Sequence, residues 1–294
     1  GTASYTKTAM VATALDAADA IFSIGASLAR DFTAAHISPG KQHVHCTVDP
    51  DDLNTYFPVD TGLVGDAKIV LQQMLEDLAD RKVDRRETRA RREAELAEQR
   101  GQWEARRKAK RASDETPINI YRLVADFAKT FDPTTTVVSH EAGATRDVLV
   151  PQYLATNPRS YIGWGHSTQL GFSLGCSMGA KLACPENLVV NFMGDCGIGM
   201  VGTDLETAVR LQIPIMTVIS NNGTMSNYER LIPRSKEIYG VTELGGNYAD
   251  MARSLGMHAE RVEQPNGIIP ALERAAEVTL NGCPALVEVI TGVE

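Results

Sequence analysis

Two runs of seven mostly apolar residues constrain this chain more than any other feature: Asn187-Leu-Val-Val-Asn-Phe-Met193 and Pro214-Ile-Met-Thr-Val-Ile-Ser220. Each runs into a turn signature, Gly194-Asp195-Cys196-Gly197 after the first and Asn221-Asn222-Gly223 after the second. Between them, Asp204 to Leu211 has helical spacing. Apolar runs of this length read as strands buried on both faces. A strand–helix–strand unit of this kind crosses over right-handedly and lays its strands parallel in one sheet. The fold class is therefore α/β.

The rest of the chain divides into three parts. Residues 1 to 80 alternate short strands and helices: Asp19 to Gly25 is a strand closing on a glycine turn, His43 to Val48 a second, and Asp66 to Leu78 a helix with Ile69, Val70, Leu71, Met74 and Leu78 at helical spacing. Residues 81 to 116 interleave Arg and Lys with Glu and have few apolar positions. That pattern describes a solvated helical linker; the alternative is a basic surface for an anionic substrate such as a coenzyme A tail. Residues 117 to 294 form the third part. Ile118 to Phe131 is predicted as an amphipathic helix, Thr135 to Ser139 as a strand, and Gln169 to Leu182 as a helix whose small residues allow close packing. Tyr248 to Leu255 and Ile268 to Leu280 are predicted helices, and Ala285 to Ile290 the last strand.

An apolar fraction of 43% over 294 residues is enough for a sizeable core. The formal charge of −8 argues against general nucleic-acid binding. No apolar run approaches the roughly 18 residues of a membrane span. The five cysteines form no CxxC pair and suit reduced thiols in a cytoplasmic protein.

The two turns carry the chemistry. If their strands are neighbours, about 4.8 Å apart, the Asp195 carboxylate and the Asn222 amide oxygen reach one small cation. Ligands in open α/β sheets bind just beyond the carboxyl ends of strands. Oxygen donors select a hard ion such as Mg²⁺, which commonly completes its shell with phosphate oxygens. One carboxylate and one amide make a weak cage alone, so the pair implies a phosphorylated ligand. Glycines 194 and 197 let backbone N–H groups approach such a ligand closely. Either motif alone is ordinary turn chemistry; the pair at the ends of two strands is not.

Gly194-Asp195, with Asn222 at the end of the second strand, resembles the thiamine diphosphate motif that begins GDG and ends NN. Cys196 stands where that motif has its second glycine. The resemblance extends along most of the chain. Val48-Asp-Pro-Asp-Asp-Leu53 and Gly65-Asp66-Ala67 are similar to the end of the middle domain of acetolactate synthases and oxalyl-CoA decarboxylases. Gly165-His-Ser-Thr-Gln-Leu-Gly171 resembles the segment that holds the aminopyrimidine, and His140-Glu-Ala-Gly-Ala144 more loosely the diphosphate-side loop.

The resemblance implies a parallel-sheet diphosphate-binding domain over 117–294, preceded by part of a Rossmann-like middle domain over 1–80. It implies thiamine diphosphate and Mg²⁺ as cofactors, with Asp195, Asn222 and the Thr224 carbonyl as metal ligands. Candidate cofactor contacts are Gly143, Ala144, Thr168, Leu170, Gly194, Cys196, Gly197, Asn222 and Met225, with Leu170 bending the cofactor. FAD or ADP in the middle domain is left open. His140 and His166 are candidate proton-transfer groups, each also readable as a structural or diphosphate-contacting histidine. The family's activating glutamate lies on an amino-terminal domain; Glu141 and Glu206 fall on the wrong side of the cofactor. A partner chain in a homo- or hetero-oligomer is therefore expected to supply it. The implied reaction makes or breaks a carbon–carbon bond next to a carbonyl, first on a 2-oxo acid as in acetolactate synthase. A 2-hydroxyacyl-CoA lyase or oxalyl-CoA decarboxylase is the second reading, and a non-catalytic regulatory subunit the third.

Overall fold

The computed structural model describes residues 9–26, 28, 37–81, 84–163, 169–225 and 228–293. The chain forms two compact units, Gly1–Arg106 and Arg107–Glu294.

The first unit holds three parallel strands in the order β1 (Ala20–Ile24), β2 (Gln42–Thr47), β3 (Thr61–Val64). The helix Ala67–Asp80 follows β3. Asp66 starts it by accepting the N–H groups of Lys68 and Ile69, which are orphan donors at any helix start. The charged stretch forms the helix Arg86–Arg111, carrying exposed i,i+4 pairs such as Arg89–Glu93 and Arg100–Glu104.

The second unit is built on six parallel strands: β4 (Thr136–His140), β5 (Tyr161–Ile162), β6 (Leu188–Gly194), β7 (Met216–Asn221), β8 (His258–Val262) and β9 (Ala285–Ile290). Their order is β5-β4-β6-β7-β9-β8, and every neighbouring pair is parallel. Side chains alternate across the sheet. Val190, Phe192, Met216 and Val218 join one core with Leu123, Phe127 and Leu272 from the helices Ile120–Thr130 and Ile268–Leu280. Val189, Met193, Ile215 and Ile219 join the other with Leu174, Ile198, Leu205 and Ala252. Helices cover both faces, so the central strands are mostly apolar, with Asn191, Thr217 and Glu288 as buried polar exceptions.

The helix Phe172–Ala183 packs closely through its small residues as expected, but not at Gly175 or Gly179, where an added side chain meets nothing within 4 Å. Its close approach uses Ser173 and Ser177, both fully buried, with Ser177 Oγ 2.5 Å from Ser139 Oγ on β4. One expectation needs correction: the Gly194–Gly197 segment is no free turn, because the helix Asp195–Val201 begins at Asp195 directly after β6. The sequence pattern missed β3, β5 and β8. β5 is two residues long, and β8 is an edge strand whose Glu260 and Arg261 break the apolar run.

Candidate functional site

The chain leaves β4 toward β5 on one side of the sheet and returns as β6 on the other. Strand order reverses between β4 and β6, and such a switch point opens a crevice beyond the strand ends. The loops after β4, β6 and β7 are therefore neighbours there, and they carry residues 140–144, 194–197 and 221–225.

β6 and β7 are adjacent, with Gly194 paired to Ser220, so Asp195 and Asn221 leave the sheet side by side. Asp195 is 4% exposed. Its Oδ1 accepts the Cys196 N–H at 2.8 Å, and its Oδ2 accepts the Gly223 N–H at 2.7 Å. The carboxylate thus ties the β6 end to the β7 turn. Burial raises its pKa above the usual aspartate range, opposed by backbone N–H donors from Cys196, Gly223 and Asn222. A nearby cation would favour the ionised form. Gly223 adopts φ +70°, a left-handed conformation open to glycine. Asn222 is half-buried and its Oδ1 accepts the Thr224 N–H at 3.1 Å, which curls the turn back. Thr224 bridges to Glu243, its hydroxyl donates to the Thr242 carbonyl at 2.9 Å, and the Met225 N–H donates to that same carbonyl at 2.9 Å. Residues 242–243 therefore fix Thr224 and Met225.

Glu141 ties the loop after β4 to the segment that starts the helix Phe172–Ala183. It is fully buried, and its carboxylate accepts the N–H groups of Gly171 at 2.9 Å and Ser173 at 2.6 Å, anchoring the start of the helix Phe172–Ala183. A Cβ at Gly197 would lie 3.2 Å from Glu141 Cγ and 3.2 Å from Met193 Cε, so the helix Asp195–Val201 packs tightly against Glu141 at this glycine. Gly171, at φ +91°, would clash with Val201 at 2.4 Å if it carried a Cβ. Leu170 is half-buried just before it. Gly143, at φ +87°, opens onto free space ahead of Ala144, the first residue of the helix Ala144–Gln152. The Cys196 thiol is half-buried, and burial, then Asp195 and Glu141, push its pKa up, so it stays a thiol.

His140 is held in the wall. Its Nδ1 lies 3.1 Å from the Glu141 carbonyl, its ring stacks on Tyr161 at 5.2 Å, and a Cβ at Gly163 would meet Nε2 at 2.7 Å. Burial lowers its pKa, so the ring is neutral near pH 7 and Nδ1 donates. His166 and Thr168 lie outside the described residues.

Asn221 and Glu288 were not singled out from the sequence. Asn221 Nδ2 donates to Glu288 Oε1 at 2.7 Å, and its Oδ1 accepts the Gly223 N–H at 3.2 Å. Glu288 is fully buried in the middle of β9. The available signal was a lone carboxylate inside the apolar run Ala285-Leu-Val-Glu-Val-Ile290, a residue type rarely buried without partners.

Among the described residues no group of three or more His, Cys, Asp or Glu is placed to hold a metal. A cation between Asp195 and Asn222 would need carbonyl and ligand oxygens to complete its shell, which suits a hard ion brought with a diphosphate. Three glycine-bearing loops meet at a parallel-sheet switch point, two of them carrying the buried carboxylates Glu141 and Asp195, in an α/β domain of the kind that binds ligands beyond its strand ends. A family model described as "Thiamine pyrophosphate enzyme, C-terminal TPP binding domain" matches residues 141–289, and the chain belongs to that family. The chain is 25% identical over 279 residues to the probable acetolactate synthase large subunit of Methanococcus aeolicus, covering 89% of this chain and 45% of the relative. It is 32% identical over 191 residues to the acetolactate synthase large subunit IlvG of Mycobacterium tuberculosis, covering 63% and 33%. It is 26% identical over 294 residues to the glyoxylate carboligase of Escherichia coli O157:H7, covering 93% and 48%. The chain spans about half the length or less of these relatives. Among the described residues no helix is long and apolar enough to cross a membrane.

Proposed function

We propose that this chain provides the metal- and diphosphate-binding side of an acetolactate synthase-like active site, acting on a 2-oxo acid. The observation that carries the reading is the Asp195 carboxylate, buried at the end of β6 and tied through Gly223 to the Asn222 turn on the neighbouring strand. Asp195, Asn222 and the Thr224 carbonyl would hold Mg²⁺. The segments containing Gly143 and Ala144, Gly194 to Gly197, and Asn222 to Met225 would receive the diphosphate. Leu170 and Thr168 would meet the pyrimidine. When bound, thiamine diphosphate supplies the electron sink for bond cleavage or formation next to a carbonyl.

The chain's own residues bind and orient. Asp195 ionises against the cation. Glu141 fixes the helix start beside the pyrimidine segment. His140, neutral and stacked on Tyr161, shapes the wall and is a candidate proton-transfer group there. The group that activates the cofactor is proposed to come from a pyrimidine-binding domain on a partner chain. The 1–80 segment is proposed as part of the middle domain, and 81–116 as its linker.

The test is reconstitution with a pyrimidine-domain chain, Mg²⁺, thiamine diphosphate and pyruvate, following acetolactate. Cofactor-dependent product is expected, and Asp195→Ala should abolish it. Undiminished turnover by that variant would refute the assignment, and turnover by the isolated chain would refute the partner requirement.

A further inference from the structure

We propose that Glu288 is a positioning residue for the metal-binding turn; this rests on the assignment of the cation to Asp195 and Asn222. Glu288 lies on β9, the fifth of the six strands in the sheet order, with both faces covered, and exposes nothing to solvent. A carboxylate there must be partnered, since burying one alone costs several kcal/mol. Its partners come from three separate elements. Oε1 accepts Asn221 Nδ2 from the end of β7 at 2.7 Å and an Arg261 guanidinium N–H from β8 at 3.1 Å. Oε2 accepts the Ala249 N–H at 2.9 Å, at the start of the helix Tyr248–Ser254.

An apolar residue at 288 would continue the strand pattern, and a buried ion pair adds little stability over such a replacement. What the carboxylate adds is direction. An ionised carboxylate only accepts hydrogen bonds, so Asn221 must present its NH₂ to Glu288. The amide carbonyl of Asn221 is then turned to the Gly223 N–H, which is also held by Asp195 Oδ2 at 2.7 Å. Asn222 lies between two residues gripped in this way. The Thr291 N–H further donates to the Asn221 carbonyl at 2.8 Å, and the Leu244 N–H to the Gly223 carbonyl at 2.9 Å. The direction of the Asn222 side chain is thus set from β9, through Asn221, by a residue that does not touch the cation.

The experiment uses Glu288→Gln, which keeps the shape but can present NH₂ toward Asn221 and free that amide to turn over. Mn²⁺ replaces Mg²⁺, and binding of Mn²⁺–thiamine diphosphate to the full chain is titrated by electron paramagnetic resonance. E288Q should weaken binding by about ten- to a hundredfold, the usual range for residues that orient metal ligands. Amide exchange at Gly223 and Thr224 should quicken in E288Q while β6 and β7 stay protected; a purely structural role would loosen the whole sheet. Arg261→Met, on the edge strand, should weaken binding more than twofold in the same direction and serves if E288Q does not fold. Affinity within twofold of wild type in the variant that folds overturns the proposal, provided Asp195→Ala abolishes wild-type binding. A wild-type chain whose binding survives Asp195→Ala overturns the site assignment instead.

Discussion

The two units use the same local devices and differ in what they bury. In the first, an aspartate starts a helix, strands run parallel, and turns follow at the expected places. Yet its buried apolar side chains, among the described residues, are Cys46 and Trp103, and Ile69, Leu71, Leu75 and Leu78 of the helix Ala67–Asp80 are exposed. In the second unit β6, β7 and β9 are buried on both faces, and the buried carboxylates Asp195 and Glu288 accept backbone N–H groups from the segments around them. Local signals are enough to place an element. The proposed cation site, which would present oxygens from two strands, would also need those strands gripped from both sides.

The largest expected effect breaks that grip. Phe192 on β6 is fully buried and meets Phe127 edge-on at 5.5 Å. Phe192→Ala should cost about 3–5 kcal/mol by combining lost burial with a cavity. Leu75→Ala, at a residue 66% exposed, should stay within about 0.5 kcal/mol. Urea unfolding of both variants measures the contrast; equal losses would erase the distinction drawn between the units.

A smaller effect tests whether local devices matter in the sparsely buried unit. Asp66→Ala removes the acceptor for the Lys68 and Ile69 N–H groups and should cost about 1 kcal/mol. Amide exchange in residues 67–72 should quicken, and residues 188–221 should not change. Exchange rising in both regions would show that the units unfold together.

The same contrast explains what was legible in the sequence. β6 and β7 were visible because double-sided burial writes a continuous apolar run, and Asp195 and Asn222 because they interrupt it at its end. The family segment around Leu170 was visible only through resemblance, since a half-buried leucine in a turn has no signature of its own. The resemblance places Glu141 on the wrong side of the cofactor for the activating role and gives it no other. Its use, accepting Gly171 and Ser173 N–H groups 30 and 32 positions away, is a long-range pairing that no local pattern encodes. Glu288 and Asn221 were overlooked for the same reason: 67 positions separate them in the chain. In the helix Phe172–Ala183, Ser173 and Ser177 make the close approach that the small residues allow, while Gly175 and Gly179 face open space, because small residues permit close packing without requiring it.

The last prediction concerns pH and sharpens the comparison at a single residue. His140 is buried between Tyr161 and the Glu141 carbonyl, and burial holds its pKa below the ordinary value of about 6.5. The unfolded chain therefore binds a proton at this residue more readily than the folded one. Between the folded and unfolded values stability rises with pH, because the unfolded state holds more protons. The contribution is complete above about pH 6.5 and is lost as the pH falls through the depressed folded value. His140→Gln keeps a polar side chain near the Glu141 carbonyl and does not titrate. Unfolding measured from pH 7.5 down to pH 5 should show a shallower loss of stability for H140Q than for wild type. The difference should lie in the transition of the 107–294 unit. An identical pH profile would mean that the ring titrates as freely as it does in the unfolded chain, and that the second unit does not hold its wall residues as tightly as the turn over residues 221–225.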